Sequence, residues 1–107
     1  MAVVRRGSEI SVSPVDRLAP LRVQIAGDFS SAAPFVLAAT LLSGSELLVQ
    51  GVNRNPLRTG FLDVLERMGA EVVRSADAIE VRGTGTLRGV DVDMADISDT
   101  AQTLAAV

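Results

Sequence analysis

Residues 28–39 read Asp-Phe-Ser-Ser-Ala-Ala-Pro-Phe-Val-Leu-Ala-Ala, and residues 96–107 read Asp-Ile-Ser-Asp-Thr-Ala-Gln-Thr-Leu-Ala-Ala-Val. At an offset of 68 the two stretches are identical at Asp28/Asp96, Ser30/Ser98, Ala33/Ala101 and Ala38/Ala106, and apolar at both Phe29/Ile97 and Val36/Leu104. Each follows a run that alternates apolar with other residues, 21–26 in the first copy and 89–93 in the second, so each reads as strand, tight turn and helix. Repetition of such a unit inside one chain points to a repeat-built fold. The second copy reaches Val107 with its apolar face unfinished, and the expectation is a fragment of a longer protein.

Outward from the first copy, residues 9–12 alternate as a strand, and Pro14, Asp16 and Pro20 break regular structure before residue 21. Asp28, Ser30 and Ser31 offer N-cap oxygens for a helix over the mostly apolar 32–42, with Ser43-Gly44 as its stop. Pro34 is expected in or near the first turn, where a missing N–H costs little. A helix apolar on nearly all sides belongs in an interior. Residues 46–50 form a short strand, and Asn55-Pro56 resembles an N-cap followed by proline at the first helical position.

Leu57, Phe61, Leu62, Val64, Leu65 and Met68 then recur at helical spacing opposite Arg58, Asp63, Glu66 and Arg67, up to a stop at Gly69. Asp63 and Arg67 are spaced as an i,i+4 pair. Residues 71–74 and 78–82 flank Ser75-Ala76-Asp77 as a hairpin. The order over 21–83 is therefore β-α-β-α-β-β. Residues 1–20 are a connector with a preceding strand, and 84–107 begin the next unit.

The 107 residues include ten Arg, no Lys, thirteen Asp plus Glu, and no His, Cys, Trp or Tyr. That excludes Ser-His-Asp and Cys-His relays, thiolate chemistry, His or Cys zinc sites and a histidine switch. A net charge of −3 with three Phe as the only aromatics speaks against a nucleic-acid partner. No apolar run approaches the ~20 residues of a membrane span. Arg5 and Arg6 follow only a few uncharged residues with no apolar segment behind them, the wrong order for a secretory signal, so the expected compartment is the cytoplasm.

Three segments carry a specific resemblance: Gly27-Asp-Phe-Ser-Ser-Ala-Ala33; Asn55-Pro-Leu-Arg-Thr-Gly-Phe-Leu-Asp-Val-Leu-Glu-Arg-Met-Gly-Ala-Glu-Val72; and Asp93-Met-Ala-Asp-Ile-Ser-Asp-Thr-Ala-Gln-Thr-Leu-Ala105. Over about residues 9–107 the chain resembles the 3-phosphoshikimate 1-carboxyvinyltransferases, the EPSP synthase family. The resemblance implies an α/β fold: β-α-β-α-β-β repeat units of the inside-out enolpyruvyl transferase domain, here one unit plus the start of the next. It implies a two-domain enzyme with its site in the cleft. It also implies transfer of the enolpyruvyl group of phosphoenolpyruvate to the 5-hydroxyl of shikimate 3-phosphate, with release of phosphate, in aromatic amino-acid biosynthesis. Glyphosate is the family's inhibitor. The implied partners are those two substrates and the remainder of the enzyme, with no cofactor, no nucleic acid and no membrane.

The family's Pro-Asp-x-Ala-x-Thr-like segment reads Ser98-Asp-Thr-Ala-Gln-Thr103 here, with Ser98 in place of proline. Asp99 is the matching acid, implied to act in proton transfer and to bind the substrate's ring hydroxyls. Its plainer reading is a first-turn acid that stabilises its helix through the macrodipole. Asp28 occupies the corresponding turn of the earlier copy, as an N-cap or as a cleft-lining, substrate-binding acid. No metal is expected: Asp91, Asp93, Asp96 and Asp99 lack the spacing, central Gly and terminal Glu of a calcium loop. Gly83-Thr-Gly85 precedes a strand pattern, not the helix that a dinucleotide loop needs. Arg54 and Arg58 beside the second helix either solvate a loop or hold an anion.

Both substrates of the implied reaction are anionic, whereas this chain has no Lys and few Arg near the repeat turns. The chain alone is therefore expected to be catalytically silent. Two other readings stand beside this one. One is a non-catalytic repeat module binding a partner through the helix that ends at Leu104 to Val107. The other is the related transferase acting on UDP-N-acetylglucosamine, against which the Asn-Pro-x-Arg-Thr-Gly and Gly-Asp-x-Ser-Ser-Ala-Ala segments weigh.

Overall fold

The centre of the fold is a three-stranded antiparallel sheet covered on one face by two helices. A computed structural model describes residues 2–107. β1 (Val3–Arg6) and β2 (Glu9–Val12) form a separate hairpin in which Val3 pairs with Val12 and Arg6 with Glu9. The sequence reading anticipated β2 and not β1. Residues 2–26 are exposed throughout, which leaves the hairpin and the following segment outside the core and contributes to the 57 Å long axis.

α1 (Phe29–Leu41) is followed by β3 (Glu46–Gln50), α2 (Pro56–Met68), β4 (Glu71–Arg74) and β5 (Ala78–Arg82). The sheet order is β3-β5-β4. The β4–β5 hairpin closes through Ser75 N–H donating to Ala78 O at 2.9 Å, and β3 pairs on the other edge of β5 with Leu47 opposite Val81 and Val49 opposite Ile79. Ile79 and Val81 therefore share the helix-facing side with half-buried Leu47 and Val49. Phe29, Val36, Phe61, Leu62 and Leu65 fill the space above them at 0–1% exposure. Complete burial of one such side chain stabilises the fold by about 1.5–3 kcal/mol.

Several elements depart from the sequence reading. Residues 21–26 make no strand, and only Gly27 pairs, in one parallel bridge to Val52. The alternation is present, but Leu21, Val23 and Ile25 are 63–88% exposed. A strand needs a neighbour to complete its hydrogen bonds, and the described residues offer none beyond Gly51–Asn53. Residues 89–93 likewise stay unpaired, yet Val90 and Val92 pack against the core.

Pro34 is the sixth residue of α1, beyond the first turn, and lies on its exposed face, where water can satisfy the carbonyl its missing N–H leaves free. α1 buries one face only, and Phe35 is exposed on the other. In α2, Leu57 is exposed and Thr59 is buried in its stead. The Asp63–Arg67 pair is replaced as well. Arg74 of β4 reaches both Asp63 and Glu66 at 2.6 Å, while Arg67 donates to Asp91 O at 2.7 Å.

Gly83 sits where a side chain cannot. A Cβ there would lie 1.9 Å from Leu42 O and 2.4 Å from Ala39 O, so β5 exits directly beneath the C-terminus of α1. That close approach is the structural role of this glycine, and no nucleotide-loop helix follows it.

The second repeat copy folds differently from the first. A 3₁₀ segment, η1 (Ala95–Thr100), leads into a four-residue α3 (Ala101–Leu104). Ile97 breaks helical geometry at φ −133°, and Asp96 makes no cap. Instead Asp93 Oδ1 accepts from Ala95 N–H at 2.9 Å. Among the described residues no helix is long and apolar enough to cross a membrane.

Candidate functional site

The site is built from three chain segments that meet at the N-terminal ends of the two long helices. Asp28 is the N-cap of α1 in extended backbone conformation, and its carboxylate accepts from Ser30 N–H at 3.3 Å and Ser31 N–H at 3.0 Å. Ser31 Oγ also donates to Asp28 Oδ2 at 2.8 Å. The Ser31 hydroxyl, then the Ser31 amide, hold the Asp28 carboxyl below its ordinary pKa against an opposing cost of desolvation, with lesser help from the Ser30 amide and the Arg58 charge. The helix-entry role expected of Asp28 is thus present.

α2 begins in the same neighbourhood. Asn55 is its N-cap, accepting from Leu57 N–H at 3.1 Å, and Pro56 is the first helical residue. This fixes the first turn and places Arg58 on the side facing η1. Gly60, one turn further into α2, is where η1 packs closest: a Cβ there would lie 3.0 Å from Ile97 Cγ2. Ile97 and Thr100 are buried, and Thr100 Oγ1 donates to Ile97 O at 2.8 Å. Between those two anchors Asp99 turns outward.

There the three segments converge. Arg58 Nη1 donates to Asp99 Oδ2 at 3.1 Å, and Ser30 Oγ donates to the same oxygen. Ser30 therefore bridges both sequence-nominated acids, through its amide to Asp28 and through its hydroxyl to Asp99. Asp99 is 40% exposed and Arg58 57% exposed, so the cluster opens to solvent.

The helix-dipole account of Asp99 is corrected by this geometry. Asp99 lies inside a 3₁₀ segment whose following α-helix is four residues long, too short to present a substantial dipole. A serine hydroxyl and a guanidinium hold its carboxylate instead. Arg58, legible in the sequence as a solvated or anion-holding charge, stays 57% exposed and pairs with a carboxylate 41 residues away. Arg54 donates to Ser75 O, away from the cluster. A signal for the missed contact was available in Gly60, since a glycine inside an amphipathic helix costs about 1 kcal/mol and commonly marks a close approach.

Concavities of about 410 Å³ beside Arg54, Thr59, Asp63 and Arg74, about 490 Å³ beside Gln24, Gln50 and Asp77, and about 270 Å³ beside Pro34, Leu37, Leu41 and Thr103 lie elsewhere, and none of these includes Asp28 or Asp99. Among the described residues no group of three or more acids is arranged to hold a metal ion. Asp93 closes its own turn and Asp99 is engaged by Ser30 and Arg58.

The sequence profile of EPSP synthase (3-phosphoshikimate 1-carboxyvinyltransferase) matches residues 2–107. The chain belongs to the EPSP synthase family. A 3-phosphoshikimate 1-carboxyvinyltransferase of Methanoculleus marisnigri is 41% identical over 86 residues, covering 78% of this chain and 20% of that protein. One from a Synechococcus species is 50% identical over 66 residues, covering 62% of this chain and 15% of that protein. The solved EPSP synthase of Acinetobacter baumannii superposes on 98% of this chain and 26% of its own length, with a TM-score of 0.76 and 27% identity. The chain thus matches 15–26% of the length of these relatives. The mixed α/β architecture is that of the EPSP synthase fold.

Proposed function

We propose that this chain forms part of an enolpyruvyl transferase that moves the enolpyruvyl group of phosphoenolpyruvate to the 5-hydroxyl of shikimate 3-phosphate. The supporting observation is the convergence of Ser30, Arg58 and Asp99 at the family-matching acid, in a chain whose profile match runs over residues 2–107. In this transfer a carbon–oxygen bond forms to the 5-hydroxyl oxygen, the bond to phosphate breaks, and the hydroxyl's proton must go to a base. Asp99 is that base and also accepts from the ring hydroxyls. Asp28, held by Ser30 and Ser31, lines the same side of the cleft as a substrate-binding acid.

Residues 1–20 serve as the connector between domains, 21–83 as one repeat unit and 84–107 as the opening of the next. Phosphate and carboxylate recognition falls to the remainder of the enzyme, because Arg58, the arginine at this cluster, already faces Asp99. The setting is the cytoplasm. No observation favours the partner-binding module: Leu104 packs against the core of this same chain.

The test is phosphate release from phosphoenolpyruvate in the full-length protein that carries these residues, with and without shikimate 3-phosphate. Release that depends on shikimate 3-phosphate and falls by about 10²–10⁴-fold in Asp99→Asn is the expected result. Absence of that dependence, or an Asp99→Asn variant with unchanged kcat, overturns the reading.

A further inference from the structure

We propose that Arg58 is a positioning residue which, together with Ser30, locks one oxygen of Asp99 so that the other faces the substrate. Both donors converge on Oδ2: the Arg58 guanidinium at 3.1 Å and the Ser30 hydroxyl. Among the described residues no donor reaches Oδ1. An anchored carboxylate with one unengaged oxygen is what a proton acceptor of fixed direction requires, since a base must lie within hydrogen-bond reach of the proton it takes. The two anchors approach from different elements, Ser30 from the first turn of α1 and Arg58 from the first turn of α2. The carboxylate is therefore held from two sides while its own short 3₁₀ segment supplies little rigidity.

Charge points the same way. Arg58 acts electrostatically on Asp28 as well as pairing with Asp99, so one cation offsets two carboxylates that Ser30 bridges. Without it, two like charges would face each other across a serine, and the Asp99 side chain would swing toward solvent. The remaining guanidinium edge is exposed, but its geometry toward Asp99 assigns it to orientation of the base.

This role rests on the transfer reading, and its test separates the two. In the full-length protein, Arg58→Gln is expected to lower kcat by up to about 10²-fold while the thermal midpoint stays close to that of the parent. Arg58→Lys, which keeps the charge and loses the planar fork, recovers part of the loss. Placed on Asp99→Asn, Arg58→Gln should add little, because a residue acting through Asp99 has nothing left to act through. An equal loss in both backgrounds, or no loss in either, overturns the proposal.

The carboxyl ¹³C resonance of Asp99, identified by its disappearance in Asp99→Asn, gives a readout independent of turnover. It is expected to move in both Arg58→Gln and Ser30→Ala. A protein that shows no transfer but whose Asp99 resonance moves in both variants overturns the transfer reading and keeps the anchoring. A resonance that stays put in both overturns the anchoring itself.

Discussion

Asp99 Oδ2 and Arg58 Nη1 lie 3.1 Å apart although 41 residues separate them in the chain. The contact exists because Gly60 lets η1 settle against α2, with Ile97 as the buried foot and Asp99 as the exposed tip. It joins the second repeat copy to the amphipathic helix of the first unit. Exposed on both sides, it has little to offer stability and much to offer geometry.

The pair is therefore expected to contribute only about 0.2–1 kcal/mol to folding. A double-mutant cycle of Arg58→Gln and Asp99→Asn, read by urea denaturation, checks this. The coupling should shrink as salt is raised toward 1 M, where screening acts within about 3 Å.

Asp28 gives a pH dependence with a definite sign. Its folded-state pKa lies below the ordinary value, so between the two values the unfolded chain binds more protons than the native one. The stability it contributes is fully present above its ordinary range, about pH 4, and is lost as pH falls through the lower folded value. Asp28→Asn keeps an acceptor for the Ser31 amide and removes the titration. The variant's urea midpoint should fall less between pH 5 and pH 3 than that of the parent.

Gly60 is expected to tolerate one side-chain carbon and not three. Gly60→Ala gains about 1 kcal/mol of helix propensity, offset by the 3.0 Å contact with Ile97 Cγ2. Gly60→Val has no such compensation and should cost about 1–3 kcal/mol. In the same variant the Arg58–Asp99 contact should lengthen, read as a shift of the Asp99 carboxyl resonance.

Gly83 and Gly89 make a matched comparison. A Cβ at Gly83 meets two backbone oxygens at 1.9 and 2.4 Å, whereas one at Gly89 meets nothing within 4 Å. Gly83→Ala should cost about 3 kcal/mol or more because backbone cannot rotate aside. Gly89→Ala should stay within about 0.5 kcal/mol in the same denaturation series.

Local patterns determined much of this protein. The cap at Asp28, the Asn55-Pro56 start, the 3.6-residue stripe from Phe61 to Met68, the Gly69 stop and the turn between β4 and β5 are all short-range signals, and each forms where its chemistry stands in the sequence. The family segment also nominated Asp99, and the repeat at offset 68 nominated Asp28. What needs a distant partner was not legible. Residues 21–26 carry the strand alternation but have no neighbouring strand to pair with, and an alternating run records which side chains are apolar, not whether a ladder is available.

The repeat at offset 68 likewise predicted a second helix like the first, and the structure gives a 3₁₀ turn broken at Ile97. Ile97 is drawn into the surface of α2 at Gly60, and burial of that side chain outweighs regular helix geometry. The sequence by itself determined α1, α2, β3 and the β4–β5 hairpin, because their caps, turns and apolar spacing are short-range signals. Only the tertiary structure decided that Ser30 and Arg58 meet on one oxygen of Asp99, because that meeting depends on how three segments pack and not on the spacing within any of them.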